Sequence, residues 1–299
     1  MRVGVVGLGT MGQHHVRIYS SLKDCEVVGV ADVNPRVLNE VSEKYDFAPF
    51  TDYKLLMEKK PEAVSIAVPT SLHYEVASFF IENGVHCLIE KPITKTLEEA
   101  RHLVKLARDK NVKLMVGHIE RYNPAVKKMK EIIEKGMLGK VLIINTRRVG
   151  PFAPRVVDVG IIIDLATHDI DVVRYLYGRE PLKVHSKFGS IKHSQEDHAV
   201  LLLDFGEGAA SIEVNWFTPH KVRTAVVTGT DGIAYLDYIE QSIVIYNSEW
   251  RMEPKVDKVE PLRAEIEHFL FCIKEDKEPL TSGEDGLKNL EVAHRALGG

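Results

Sequence analysis

The run Asp164-Leu165-Ala166-Thr167-His168 sets a carboxylate four residues before an imidazole. On a helix this spacing places both groups on one face, one turn apart. A carboxylate there raises the basicity of the ring and fixes its orientation, which makes a general base near neutral pH. Taken alone, the pair fits an N-cap and a surface histidine equally well. Asp169 and Asp171 have a simpler reading as first-turn acids that complement the helix dipole, with Arg174 as an ion-pair partner. A second candidate is Glu90-Lys91-Pro92, at the C-terminal end of a predicted strand. Open α/β sheets bind ligands outside such strand ends, so Lys91 is expected to point into a cleft, with Pro92 stiffening the turn.

The third candidate is Gly7-Leu8-Gly9-Thr10-Met11-Gly12, directly after a predicted strand and opening a helix. Gly7 permits a tight turn, Gly9 lets the backbone approach a pyrophosphate, and Gly12 allows close helix–strand packing. The diphosphate would rest on the N–H groups of the helix N-terminus. Asp32 lies 20 residues beyond Gly12. It would accept hydrogen bonds from the adenosine ribose hydroxyls and repel a 2′-phosphate, so NAD is the expected cofactor. Arg36 keeps NADP as the alternative. His14 and His15, nearby in the first helix, could touch the cofactor region, with packing or capping the favoured role.

Positioning these groups requires regular elements, and the pattern supplies them. Up to about residue 118, short apolar runs (Val3–Gly7, Glu26–Asp32, Ala63–Val68, Val85–Glu90, Leu114–Gly117) alternate with helical spacing (Met11–Leu22, Pro35–Tyr45, Leu72–Asn83, Thr96–Lys110). Nearly continuous apolar strands are covered on both faces, as in a parallel sheet built from right-handed βαβ units. Asn34 before Pro35 and Thr96 before Glu99 carry helix-start signals. After a helix at Pro124–Lys135, strand-like runs dominate, from Lys140–Arg148 to Ser242–Tyr246, interrupted by a helix at about Leu165–Tyr177. Two helices, Pro261–Lys274 and Glu284–Leu297, close the chain. The expected organisation is a dinucleotide-binding domain over 1–120 and an α+β domain with a mainly antiparallel open sheet over 121–299. The last helix is allowed to pack back on the first domain.

At 299 residues, with 44% hydrophobic and 27% charged residues, the chain is long enough for two ordinary globular domains. Its 39 basic and 43 acidic residues nearly cancel, which argues against nucleic acid as a partner. No apolar run approaches a membrane span. Cys25, Cys87 and Cys272 are odd in number and far apart, so neither a disulfide framework nor a zinc site is expected. The other histidines show no metal-ligand spacing. Met1-Arg2 leads straight into the first strand with no room for a leader, and a cytoplasmic location is expected.

Taken together, Gly7–Gly12, Ala67-Val68-Pro69-Thr70 with His73, Glu90-Lys91-Pro92, Arg121-Tyr122-Asn123-Pro124 and Asp164…His168 resemble the Gfo/Idh/MocA oxidoreductase family over essentially the whole chain. The resemblance implies an N-terminal Rossmann domain and a C-terminal domain whose open sheet forms a homodimer or homotetramer. It also implies NAD(P)-dependent chemistry on sugars, polyols or their derivatives. Lys91, Asp164 and His168 would form the catalytic group, with His168 the base, Lys91 on the reacting oxygen and Asp164 orienting both. Because Lys91 comes from the first domain and Asp164 and His168 from the second, the expected site lies between them. Val68, Pro69, Thr70 and His73 would line the cofactor, with Glu90 and Lys91 near its nicotinamide end.

The stretches Val116–Pro124 and Ile161–Asp171 are most similar to the branch acting on C3 of UDP-N-acetylglucosamine. That likeness gives Arg147, Arg148 and Arg155 an expected role on a diphosphate, since planar charged donors suit one, and adds Tyr122 and Asn123 as substrate residues. The opposing reading makes the arginines surface ion-pair partners. Val159-Gly160-Ile161-Ile162 departs from the paired glycines common before the Asp, which could reshape the pocket. Trp216, Phe217, His220, Lys221 and Arg223 form an aromatic–basic cluster that could line the substrate pocket, with packing or a subunit interface the favoured reading. A free polyol such as myo-inositol is the alternative substrate, and a non-catalytic NAD-binding regulator is the alternative from another class.

Overall fold

The computed structural model describes residues 1–152 and 159–298. The chain divides into two compact units, Met1–His118 with Leu262–Leu287, and Ile119–Pro261 with Lys288–Gly299.

The first unit alternates β1 (Arg2–Val6), α1 (Thr10–Ser21), β2 (Glu26–Ala31), α2 (Pro35–Ser42), β3 (Ala48–Phe50), β4 (Ala63–Ile66), α3 (Thr70–Glu82), β5 (His86–Glu90), α4 (Leu97–Asp109) and β6 (Leu114–Gly117). The strands form one parallel sheet in the order β3-β2-β1-β4-β5-β6. This is the doubly wound dinucleotide-binding order, with its switch point between β1 and β4. Val3, Val5, Val64, Ile66 and Ile89 are fully buried, as strands covered on both faces require. Asn34 caps α2 by accepting from the Arg36 N–H, and Thr96 and Glu99 close a reciprocal capping box on α4. The helix predicted from Pro35 stops at Ser42, and the sequence reading passed over β3 and the 3-10 turn Tyr53–Lys59. A three-residue strand centred on Pro49 has too little alternation to register. The helix α7 (Pro261–Lys274) and the start of α8 (Gly283–Ala296) belong to this unit, where Ser282 bridges to Met115 of β6.

The second unit contains a 3-10 turn at Ile119–Tyr122, α5 (Pro124–Glu134), β7 (Val141–Pro151) and α6 (Thr167–Tyr177). The strands β8 (Lys183–Gly189), β9 (His198–Asp204), β10 (Ala209–Asn215), β11 (Phe217–Gly229), β12 (Ile233–Asp237), β13 (Ser242–Tyr246) and β14 (Arg251–Met252) follow. Its eight-stranded sheet runs β14-β13-β12-β11-β7-β10-β9-β8 and is antiparallel except where β10 meets β7. Burial alternates along each strand: Leu201, Ile212, Val227 and Ile245 enter a core with α5, α6 and the end of α8. The opposite face exposes Ile143, Val200, Leu202, Tyr235 and Tyr246. Sheet periodicity thus splits each strand into a core side and a side open in the isolated chain.

Candidate active site

At the end of β1, Gly7 adopts φ +87°, and a Cβ there would lie 2.6 Å from the Ala67 carbonyl oxygen. A Cβ on Gly12 would lie 1.8 Å from the Gly7 carbonyl oxygen, so only glycine lets α1 begin this close to the strand. Gly9 differs. Its φ of −63° suits any residue and its Cβ would meet nothing within 4 Å. The first turn of α1, which includes Thr10 and Met11, has no side-chain cap, leaving N–H donors toward that open space. Asp32, just past β2, accepts from the Leu8 N–H at 2.6 Å through Oδ2 and from the Asn34 N–H at 2.8 Å through Oδ1. It ties the glycine loop to the β2 turn, and each carboxylate oxygen keeps a lone pair for a ribose hydroxyl. Open space at Gly9, uncapped donors and an anchored acid are the features a dinucleotide needs.

The segment after β4 carries Val68, Pro69 and Thr70, with Pro69 at the cap of α3. His73, expected to line the cofactor, is instead only 1% exposed. Its Nδ1 lies 2.8 Å from the Pro92 carbonyl and its Nε2 3.0 Å from the Val68 carbonyl, so it ties together the two strand-end segments. Burial lowers the imidazole's pKa.

At the end of β5 the Lys91-Pro92 bond is cis and Lys91 is half-buried. Glu90 turns its carboxylate inward. Its Oε1 is 3.0 Å from His15 Nε2, His15 Nδ1 is 3.0 Å from Ser65 Oγ, and Ser65 Oγ is 2.8 Å from Tyr19 Oη. A carboxylate only accepts, so His15 donates through Nε2, and in its neutral form accepts through Nδ1 from Ser65. Burial pushes the Glu90 carboxyl up, but the His15 bond and the charges of His15 and Lys91 outweigh it and hold the pKa below the ordinary value. Sequence reasoning favours packing or capping for His15 over contact with the cofactor region and misses this chain of hydrogen bonds. Its only sequence trace is the place of His15 on α1, one turn beyond the glycine loop.

In the second unit, Asp164 lies in a π-helical turn, Ile162–Ala166, that runs into α6, whose first turn holds His168. The predicted plain α-helical turn between them is therefore corrected: the wider π turn rotates Asp164 relative to His168. Asp164 and His168 are both half-buried. The approach is anchored by Glu196, whose backbone carbonyl accepts from the Ile161 N–H and whose Oε1 accepts from the Ile162 N–H. Ile161 and Ile162 are fully buried in the core, so the bulk that replaces the glycines fills the interior rather than the pocket. Asn289 of α8 donates to the Thr167 carbonyl at 2.9 Å, fixing the start of α6.

The expected substrate residues fare differently. Arg148 is 2% exposed, donates to Asp169 at 2.6 and 3.4 Å and to Glu120 at 2.8 Å, and lies over the Tyr238 ring. Asp169 is the first-turn acid of α6 as expected and in addition the buried partner of Arg148; burial raises its pKa against the opposing pull of Arg148. Asp171 makes a bidentate pair with Arg121 at 2.7 and 2.9 Å and also keeps the expected ion pair with Arg174 at 3.6 Å, while Arg174 binds Glu180 as well. Asn123 caps α5 through the Ala125 N–H and donates to Glu120 and to the Tyr238 carbonyl. Tyr122 is buried, with Lys127 over its ring. Arg147, on the opposite strand face from Arg148, pairs with Glu213 at 3.1 Å in the open. Tyr122, Asn123 and Arg148 are thus buried in the interior of this unit, Arg147 lies on the open face of its sheet, and Arg155 lies outside the described residues. Trp216 packs edge-on against Phe152 and His193. Among the described residues no cluster of His, Cys, Asp and Glu could hold a metal ion, and no helix is long and apolar enough to cross a membrane.

Residues 1–118 match the model of the oxidoreductase family with an NAD-binding Rossmann fold, GFO_IDH_MocA, and residues 126–235 match the GFO/IDH/MocA C-terminal domain. The chain is 30% identical over 304 residues to a UDP-N-acetylglucosamine 3-dehydrogenase of Acidithiobacillus ferrooxidans, covering 98% of this chain and 95% of that one. A solved structure of that enzyme superimposes with a TM-score of 0.92, covering 99% and 96% of the two chains. The chain is also 29% identical over 317 residues to the scyllo-inositol 2-dehydrogenase (NAD(+)) of Bacillus subtilis, covering 98% and 92% of the two. The protein belongs to the Gfo/Idh/MocA family of oxidoreductases, and its first unit is the NAD-binding Rossmann domain.

Proposed function

We propose that this protein is an NAD-dependent dehydrogenase that oxidises a ring hydroxyl, at C3, of a nucleotide-activated amino sugar such as UDP-N-acetylglucosamine. The carrying observation is the Asp164 and His168 pair at the start of one anchored helix, in a chain 30% identical over nearly its whole length to an enzyme named for that reaction. In this reading Lys91, Asp164 and His168 are the catalytic group. His168 takes the proton of the substrate hydroxyl, and Lys91 donates a hydrogen bond to the oxygen as its negative charge develops. Asp164 orients and tunes both. NAD, when bound, supplies the hydride acceptor. The uncapped turn of α1 holds its diphosphate, Gly9 admits it, and Asp32 receives the adenosine ribose and disfavours NADP. Val68, Pro69 and Thr70 line its path.

A free polyol substrate such as myo-inositol is the second reading, favoured by relatives named as inositol dehydrogenases at 29% and 27% identity. A 340 nm assay of UDP-sugars against free polyols, with NAD and NADP in parallel, separates the two. His168→Ala and Lys91→Ala should each lower turnover by roughly two or more orders of magnitude with cofactor binding kept. Near-normal activity in both variants sinks the mechanism.

We assign the exposed apolar face of the eight-stranded sheet to a homodimer or homotetramer contact in a cytoplasmic enzyme. Light scattering of wild type against Val200→Lys/Leu202→Lys tests it; an unchanged mass in the variant overturns that assignment.

A further inference from the structure

We propose that Arg223 holds an anionic oxygen of the substrate, supplied by the diphosphate of a nucleotide-activated sugar. This rests on the dehydrogenase reading above and names the substrate class for that site.

Arg223 lies near the start of the regular part of β11, in register with Arg148 of β7. Burial alternates beyond it, so Arg223 shares the helix-covered face with the buried Ala225 and Val227. Its backbone carbonyl is taken by the Tyr238 N–H at 3.1 Å, which fixes the main chain and leaves the side chain. The neighbouring Arg148 binds Asp169, the residue after His168, so Arg223 stands beside the network that holds the start of α6.

The carboxylates around it are already engaged. Both oxygens of Asp169 accept from Arg148, and Glu120 accepts from Arg148 and from Asn123. The half-buried Arg223 guanidinium makes no ion pair or side-chain hydrogen bond with another described residue. Burial and the adjacent Arg148 charge lower its pKa, while Glu120, Asp169 and Asp164 favour its charge. A guanidinium kept partly out of water beside a like charge, without a partner, is a standing cost to the fold. Such a cost is characteristic of a residue retained for a ligand. The planar fork of five donors suits phosphate oxygens, which it can grip in pairs. The sequence favours packing or an interface for the Arg223 cluster over the substrate pocket, because nothing in the linear order shows that Arg148 is engaged while Arg223 has no ion-pair partner among the described residues.

The test compares wild type, Arg223→Gln, Arg223→Lys and the surface control Arg147→Gln in the NAD-loaded full chain. Titration calorimetry with UDP and with UDP-N-acetylglucosamine reads binding without needing turnover, and steady-state assays add glucuronate and N-acetylglucosamine. Arg223→Gln should weaken UDP and UDP-N-acetylglucosamine by about tenfold to a hundredfold. Its KM for NAD should stay at the wild-type value, its Tm should hold or rise because the buried charge is gone, and Lys should recover part of the affinity. Affinity within twofold of wild type, or failure of wild type to bind either UDP ligand, overturns the proposal. So does a loss confined to glucuronate, which would make the anion a carboxylate. A large fall in Tm would mark Arg223 as a fold partner and also overturn it. His168→Ala, assayed alongside, tests the dehydrogenase reading separately: retained turnover there overturns that reading whatever Arg223 does.

Discussion

His15 Nε2 lies 3.0 Å from Glu90 Oε1, joining the helix after the glycine loop to the residue before Lys91. The bond holds the Glu90 carboxylate charged within a buried setting that also includes Lys91 and His73. His15→Leu removes the donor, so burial acts with less opposition and the Glu90 pKa rises. The expected result is a kcat about tenfold lower at neutral pH, with the acidic limb of its pH profile moved upward. His15→Gln, which keeps an N–H donor, should restore part of both. An unmoved profile in His15→Leu would reduce the contact to packing. The same bond contributes stability that is present at neutral pH and is lost as pH falls through the lowered Glu90 pKa.

Arg148 and Arg147 are adjacent in sequence and opposite in consequence. Arg148→Met leaves Asp169 and Glu120 buried without their cation and should cost about 3–5 kcal/mol in urea denaturation. Arg147→Ala removes only the exposed contact with Glu213 and should stay within about 0.5 kcal/mol. Equal effects would contradict the face assignment of β7.

Gly9 and Gly12 make a second contrast. Gly12→Ala drives a Cβ to 1.8 Å from a backbone oxygen and should lower Tm as well as NAD affinity. Gly9→Ala meets nothing within 4 Å, so Tm should hold while NAD, which needs that space, binds more weakly. Unaltered NADH binding in Gly9→Ala, followed by fluorescence, would remove the diphosphate from this loop.

Asp197 accepts the Ile191, Lys192 and His193 N–H groups and the His198 ring. Burial raises its pKa, but these bonds prevail and hold it at about 2. With the folded value depressed, its stabilisation is complete above the ordinary Asp range near 4 and is lost as pH falls toward 2. Melting curves of Asp197→Asn should show a lower Tm at pH 7 and a shallower fall between pH 4 and 2. A slope equal to wild type would assign the acid sensitivity elsewhere.

Much of the fold was legible because its signals are local. The apolar runs of β1, β2, β4 and β5, the Thr96–Glu99 capping box and the Gly7–Gly12 loop depend on residues a few positions apart. What escaped was short or irregular. β3 has three residues, and the π turn around Asp164 differs from an α turn by one hydrogen-bond step that composition does not mark.

The sequence by itself determined the two-part α/β organisation, the glycine loop with Asp32, the spacing of Asp164 to His168, and the family resemblance these carry. Each follows from backbone periodicity or from residue types that act within one turn or loop. Only the tertiary structure decided which charged side chains are engaged. It turned Arg148 into the core with Asp169 and Glu120, set Arg147 against Glu213, drew His73 between two carbonyls, and left Arg223 without an ion-pair partner among the described residues. Ion pairs join residues distant in sequence and from different strands, and strand alternation sends neighbours such as Arg147 and Arg148 to opposite faces. A charge's partner is therefore a property of the folded sheet and not of the order of residues along the chain.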